Sequence, residues 1–326
     1  MSTQQQPDFD AIAVGAGFAG LALIHYLREA GLSIRVFDRA SDIGGTWTWN
    51  RYPGAMTDSE SYYYCLTFSK ELLQEWSRTR RYPDWKETHD YMRFVADKCD
   101  MWPHIQLNTE IVAAEYQKDS GLWKVTTESG DTFTCKYFIS AMGMISEPVI
   151  PKIKGMDTFK GPLFHSSRWP EGIDYANKRV GIIGAGATTV QMLPVMAQTA
   201  KSVTVFHRTP NFILPAMQAP MTPEWEKDIK EHYDEIVAKC RNHMFGMAFD
   251  TAEGRLALKR RRKNASAFSR KNGPAVSAGS SRPSRTCSPA RTPTSGRRSS
   301  LPARCGSALR TPRSPTSWCP SPASTH

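Results

Sequence analysis

The sequence predicts an α/β protein with two dinucleotide-binding domains, the second incomplete, followed by the start of a helical insertion and a disordered tail. Three observations predict it. They are a strand, glycine loop, helix, strand pattern near the N-terminus, a second such pattern from about residue 177, and an abrupt change of composition after "KRRRK" at 259–263. At 326 residues and 40% hydrophobic content, the chain is long enough to bury two cores.

The first unit is "FDAIAVGAGFAGLALIHYLREAGLSIRVFDRA", read as a strand over 11–14, a tight turn, a helix over about 18–30 and a strand over 33–37. Gly15, Gly17 and Gly20 complete a GxGxxG. The first permits the turn, the second lets a pyrophosphate approach the backbone, and the third lets helix and strand pack closely. Asp38 ends the next strand, where a carboxylate can accept hydrogen bonds from ribose hydroxyls. This βαβ arrangement is Rossmann-like.

The second unit is "NKRVGIIGAGATTVQMLPVMAQTAKSVTVFHRTPNF", with strands over 179–183 and 202–206 and a helix from about Ala187. Gly184 and Gly186 are in place, but Thr189 holds the third glycine position, so helix and strand are expected slightly farther apart. No acid follows the second strand; the residues there are His207, Arg208 and Thr209. An Arg can pair with a 2′-phosphate in bidentate fashion, which selects NADP over NAD. The plainer alternative is a surface Arg with no ligand. Two such sites of different preference suggest a tightly held flavin reduced by a nicotinamide from the other site.

Charge and cysteines narrow the remaining classes. Sixteen of the 42 basic residues and none of the 31 acidic ones lie from Gly254 onward, which leaves residues 1–253 with a net charge of −5. The overall +11 therefore belongs to the tail and argues against a nucleic-acid partner for the folded part. The N-terminus lacks the basic and apolar regions of a secretory signal. The first apolar run, 11–24, is glycine-broken and shorter than the roughly 17 residues of a membrane span, so a soluble cytoplasmic protein is expected. Seven irregularly spaced cysteines form no CxxC pair, which supports neither a disulfide framework nor a zinc site.

Two further stretches carry a resemblance. "FKGPLFHSSRWP" places Phe159, Gly161, His165, Trp169 and Pro170 in the pattern F-x-G-x-x-x-H-x-x-x-W-P. "DIGGTWTWNRYPGAMTDSESYYY" gathers Gly44, Gly45, Thr46, Trp47, Trp49, Tyr52, Gly54, Asp58 and Tyr64. With the two glycine loops, the chain from about Asp8 to about Arg241 resembles the FAD- and NADPH-dependent flavin monooxygenases, and most closely the Baeyer–Villiger monooxygenases.

The resemblance implies oxidation of a small-molecule ketone to an ester or lactone with FAD, NADPH and O2. FAD is implied at Gly15, Gly17, Gly20, Asp38, Gly45, Thr46, Trp47, Asp58 and Tyr64, and NADPH at Gly184, Gly186, Thr188, Arg208 and Thr209. Asp58, near the flavin ring, and His165, in the connector between the domains, are the implied catalytic residues. For His165 a coupling role during domain motion is expected rather than acid–base chemistry. By composition alone, the aromatic stretch fits an irregular loop over a flat ligand or a loop closing a core, and His165 a structural histidine. In the connector, Gly161 is expected to allow a turn, Phe159 and Trp169 to anchor it, and Pro170 to stiffen its exit. "FISAMGMIS" resembles the family's strand leading out of the flavin domain.

The family also implies an Arg shortly after the second unit, paired with the Asp that Asp58 matches. Here "NFILPAMQAP" supplies Met217 and Gln218 instead, so stabilisation of developing negative charge is expected to be impaired. Non-catalytic nucleotide binding and N- or S-oxygenation stay open as alternatives.

The expected domains are 1–145 for FAD, 146–220 for the linker and incomplete NADP domain, 221–263 for the start of a helical insertion, and 264–326 for the tail. Thr222 and Pro223 suit a helix start, and Trp225, Ile229, Tyr233, Ile236, Val237 and Cys240 mark one apolar face. The tail is rich in Ser, Pro and Arg and cannot bury enough apolar surface to offset its ordering entropy. It reads either as a basic tail that binds nucleic acid or acidic membrane, or as a reading-frame change in GC-rich DNA near residues 254–270. The frame change also accounts for the resemblance stopping there, with loss of flavin retention and turnover as the expected consequence.

Overall fold

The computed structural model describes residues 6–244, 246 and 247. The expected tail and the segment of the expected frame change, 254–270, lie outside these residues.

Strand β1 (Phe9–Val14) is followed by helix α1 (Phe18–Glu29) and strand β2 (Ile34–Phe37). After the short helices α2 (Thr46–Trp49) and α3 (Lys70–Glu75) and the longer α4 (Trp85–Lys98) come strands β3 (Ile105–Gln106), β4 (Ile111–Gln117), β5 (Leu122–Thr127) and β6 (Thr132–Ser140). These form a six-stranded sheet in the order β3-β2-β1-β6-β5-β4. Strand β1 is central, parallel to β2 and β6, and β5 and β4 continue antiparallel from β6.

Apolar spacing on α1 and α4 explains the core. Leu21 and Ile24 pack with Ala11, Ala13 and Val36 of the sheet and with Tyr91, Met92 and Val95 of α4. Helix α4 starts where Asp84 accepts a hydrogen bond from Glu87 N at 2.9 Å, a capping geometry carried by the D-x-x-E spacing.

The second unit consists of strand β7 (Arg179–Ile183), helix α5 (Ala187–Met196) and strand β8 (Ser202–Phe206), with β7 and β8 parallel. Its elements fall where the sequence puts them. Helix α5 covers one face of this two-stranded sheet through Met192 and Met196 against Ile182. On the sheet's other face, Ile183 and Phe206 are more than half exposed.

The two units differ at the third glycine position. A Cβ on Gly20 would meet the Gly15 carbonyl oxygen at 2.1 Å, so the first helix and loop touch backbone to backbone. At the matching place Thr189 is buried, and its hydroxyl donates to the Gly184 carbonyl at 3.1 Å. A hydrogen bond replaces the close contact.

Beyond β8, Thr222 caps helix α6 (Pro223–Glu231) by accepting from Trp225 N at 3.2 Å. The apolar face expected to run to Cys240 divides between α6 and helix α7 (Tyr233–Asn242). The break falls at His232, whose Nδ1 lies 2.8 Å from the Asp228 carbonyl and competes with the backbone ladder there. Ile229 and Tyr233 still share one cluster with Leu73. Among the described residues no helix is long and apolar enough to cross a membrane.

Two outcomes test this packing. Gly20→Ala sets a methyl against a main-chain oxygen at a cost of about 3 kcal/mol. Helix propensity returns about 1 kcal/mol, so a urea titration should show a net loss near 2 kcal/mol. Asp10 ties β1 to both neighbours, with Lys136 Nζ at 2.7 Å and Ser33 N at 2.9 Å. The Lys136 hydrogen bond, then those from Ser33, lower its carboxyl from 3.8 to about 2. Because the folded value is depressed, this stabilisation is present above pH 3.8 and lost as pH falls through about 2. Asp10→Asn should flatten the dependence of the unfolding midpoint on pH across that window.

Candidate nucleotide sites and the segment between them

The first glycine loop is braced by Asp38. Its Oδ2 accepts from Ala16 N at 2.7 Å and its Oδ1 from Ala40 N at 2.9 Å, and the side chain is buried. The acid assigned to a ribose from the sequence thus first holds the loop itself. Each oxygen retains lone-pair capacity for a further donor. Helix α1 begins at Gly17 with no side-chain cap, which leaves its first N–H groups for an anion.

The 44–64 segment hangs on this loop. Gly44 N donates to the Ala16 carbonyl at 2.9 Å, and Gly45 follows with φ +54°. The expected irregular loop contains one helical turn, α2, and this turn drives Trp47 into the core. Trp47 Nε1 donates to the Tyr64 hydroxyl at 3.2 Å, and Tyr64 meets Phe18 edge-on at 5.2 Å. Burial pushes the Tyr64 phenol up. Gly45 and Thr46 therefore border the first glycine loop, whereas Trp47 and Tyr64 support it from the core side.

The second loop repeats the first in its main chain. Gly184 N donates to the Phe206 carbonyl at 2.8 Å, as Gly15 N does to Phe37 at 2.8 Å. Helix α5 begins at Gly186, also without a side-chain cap, and a Cβ on Gly184 or Gly186 would meet no atom within 4 Å. That open space leads into a cavity of about 570 Å³ lined by Asp58, residues 185–187, Val190 and residues 211–214. Asn211 Nδ2 donates to the Ala185 carbonyl and closes the loop. Arg208 and Thr209 stand exposed just after β8.

Asp58 thus belongs to the wall of the second cavity, although its segment begins at the first loop. Gln191 of α5 donates to Asp58 Oδ1 at 2.9 Å and accepts from the Tyr52 hydroxyl at 2.8 Å. Burial first, with the Asp58 charge adding to it, raises the Tyr52 phenol. Gln191 and Asn211 were not identified from the sequence. Gln191 looks there like any polar position on a helix, and Asn211 like a loop residue.

The connector behaves partly as anticipated. Trp169 packs edge-on against Phe164 at 5.0 Å and joins a cluster of Tyr52, Ala55, Ile182, Met192 and Met196, so it pins the connector to both units. Phe159, by contrast, is 62% exposed and anchors nothing. Gly161 supplies room rather than a left-handed turn, since a Cβ there would lie 2.8 Å from the Phe159 ring. The hydrogen bonds of His165 stay within its own turn: Nδ1 accepts from Ser167 N at 3.2 Å, so a neutral ring carries its proton on Nε2. Arg168 stacks over Trp49 at 4.3 Å and donates to the Ser146 carbonyl at 3.1 Å.

Comparison with known proteins agrees with this geometry. The sequence model of the flavin-binding monooxygenase-like family matches residues 10–244. The chain belongs to the flavin-binding monooxygenase-like family. It is 44% identical over 244 residues to a Baeyer–Villiger monooxygenase of Pseudooceanicola batsensis, a match covering 74% of this chain and 45% of the relative. It is 42% identical over 247 residues to a cyclohexanone 1,2-monooxygenase of Acinetobacter sp., covering 76% and 46% respectively. Among solved structures, cyclohexanone monooxygenase from Rhodococcus sp. Phi1 bound to NADP+ superposes with a TM-score of 0.77 at 36% identity, covering 81% of this chain and 50% of that one. The chain thus spans about half the length of the relatives it matches.

The Arg168–Trp49 stack is a contact whose loss can be measured. Trp49→Ala removes a cation–π contact worth about 0.5–1 kcal/mol. Trypsin cleavage after Arg168 should then accelerate about two- to fivefold, because local opening sets the rate.

Proposed function

We propose that this chain supplies the FAD- and NADPH-binding part of a Baeyer–Villiger monooxygenase, which converts a ketone into an ester or lactone with O2. The observation that carries the reading is that Asp58, on the segment hung from the first glycine loop, lines the cavity opened by the second. One segment thus runs from the first glycine loop to the cavity of the second. Nitrogen oxygenation has less support, since the two relatives compared above are named for ketone oxidation or the Baeyer–Villiger reaction.

The residues fit the two cofactors. Gly15 turns the loop, and Gly17 with the uncapped start of α1 offers N–H groups to a pyrophosphate, with Asp38 beside them for a ribose hydroxyl. Gly45 and Thr46 border the first loop on the flavin side, Trp47 and Tyr64 support them from the core, and Asp58 faces the second cavity. Gly184, Gly186 and Thr188 take the second pyrophosphate, and Arg208 with Thr209 meets the 2′-phosphate. FAD, when bound, supplies the electron transfer from nicotinamide to O2. The protein's own part is to orient the two rings, exclude water and oppose negative charge as it develops.

For that last task residues 210–219 offer little. Gln218 Nε2 donates to the Tyr82 carbonyl at 2.7 Å and its Oε1 accepts from Tyr82 N at 3.0 Å, so the amide is spent on another strand of chain. Met217 carries no charge. We infer slow turnover for this chain. His165 acts through the posture of the connector rather than on the reacting atoms.

The test is direct. Purified chain supplied with FAD should bind NADP+ at least tenfold more tightly than NAD+, in line with one charge-assisted pair. Arg208→Glu should erase that preference. Incubation with NADPH and cyclohexanone should yield lactone slowly and with sub-stoichiometric flavin. Equal affinity for both nucleotides, unchanged by Arg208→Glu, would overturn the nucleotide assignment. An N-oxide from an amine with no lactone would overturn the substrate class.

A further inference from the structure

Gln191 lies one turn into α5, and its side chain leaves the helix toward residues 52–58. Its amide makes four contacts there. Oε1 accepts from the Tyr52 hydroxyl at 2.8 Å and from Met56 N at 3.3 Å, while Nε2 donates to the Met56 carbonyl at 2.9 Å and to Asp58 Oδ1 at 2.9 Å. An amide has two donors and two acceptor lone pairs, so its whole capacity is used on one short segment. That segment is also pressed onto α5. Gly54 has φ +79°, and a Cβ there would lie 2.4 Å from the Gln191 carbonyl oxygen.

We propose that Gln191 is the positioning residue of this site, holding Asp58 at the wall of the second nucleotide cavity so that nucleotide binding at α5 and the posture of Asp58 are coupled. The coupling rests on reading that cavity as a nicotinamide-nucleotide site. The same helix that begins at Gly186 carries the amide that holds Asp58, so a ligand seated on the helix start fixes both. Only an amide satisfies all four partners. A carboxylate at this position would confront the Met56 carbonyl and the Asp58 carboxylate with no donor, whereas a protonated carboxyl regains one.

The experiment uses the full chain and its Q191E, Q191L and D58N/Q191E variants. Hydrogen exchange reads the protection of the Met56 amide without nucleotide, and calorimetry reads NADP+ affinity at pH 8 and pH 5. At pH 8, Q191L should lose about tenfold in Met56 protection, whereas Q191E, whose carboxylate still accepts from Met56 N, should lose about tenfold in NADP+ affinity, the loss of one hydrogen bond to a charged group. At pH 5, Q191E should recover most of that affinity. D58N/Q191E should recover affinity at pH 8, because the amide that D58N introduces can donate to the new carboxylate. Unchanged Met56 protection in Q191L would overturn the proposal, as would a Q191E defect that neither low pH nor D58N relieves. If the unmutated chain takes no NADP+, the nucleotide reading fails, and with it the coupling. Met56 protection still decides whether Gln191 holds the 52–58 segment.

Discussion

The carboxylate of Asp38 is the constraint on which the rest of the site depends. It accepts one backbone N–H from the first glycine loop and one from the turn after β2, both from a buried position. With the loop fixed, the Ala16 carbonyl is aimed at Gly44, and the 44–64 segment takes its start from there. Everything downstream, from the buried Trp47 to the cavity-lining Asp58, follows from the placement of that start. A carboxylate accepting charge-assisted hydrogen bonds in a buried setting suits this task, because the low local dielectric strengthens each bond.

The two nucleotide units solve one geometric problem by different means. Both hold the first loop glycine by a 2.8 Å hydrogen bond to the end of the neighbouring strand. The first then relies on an absent side chain at Gly20, whereas the second uses the Thr189 hydroxyl as a spacer that is also a bond. The second also lacks an acid brace, and its loop is closed instead by Asn211. A loop held by two neutral side chains, one of them from an exposed segment, is more readily rearranged than one clamped by a buried carboxylate. That difference fits a permanent guest at the first site and an exchanging one at the second.

The sheet of the second unit is covered on one face. A parallel sheet ordinarily has both faces covered. Here α5 covers one face, and Ile183 and Phe206 stand more than half exposed on the other. Exposed apolar surface of this kind favours association.

Local chemistry was legible in the sequence by itself. The strand–loop–helix order of both units, the Thr222 cap and the α5 start were readable because turn glycines, caps and apolar periodicity act within a few residues. The Asp84–Glu87 spacing held the start of α4 in the same way, although it was not singled out. Tertiary structure alone decided what spans distance in the chain. It tied Asp38 to the first glycine loop, turned Trp47 inward, left Phe159 outside the core, and broke the last apolar face at His232. It also joined Gln191 to Tyr52, Met56 and Asp58 across more than 130 positions. No periodicity records such a contact, because a glutamine's partners are fixed only when packing brings two backbones close enough to share one amide.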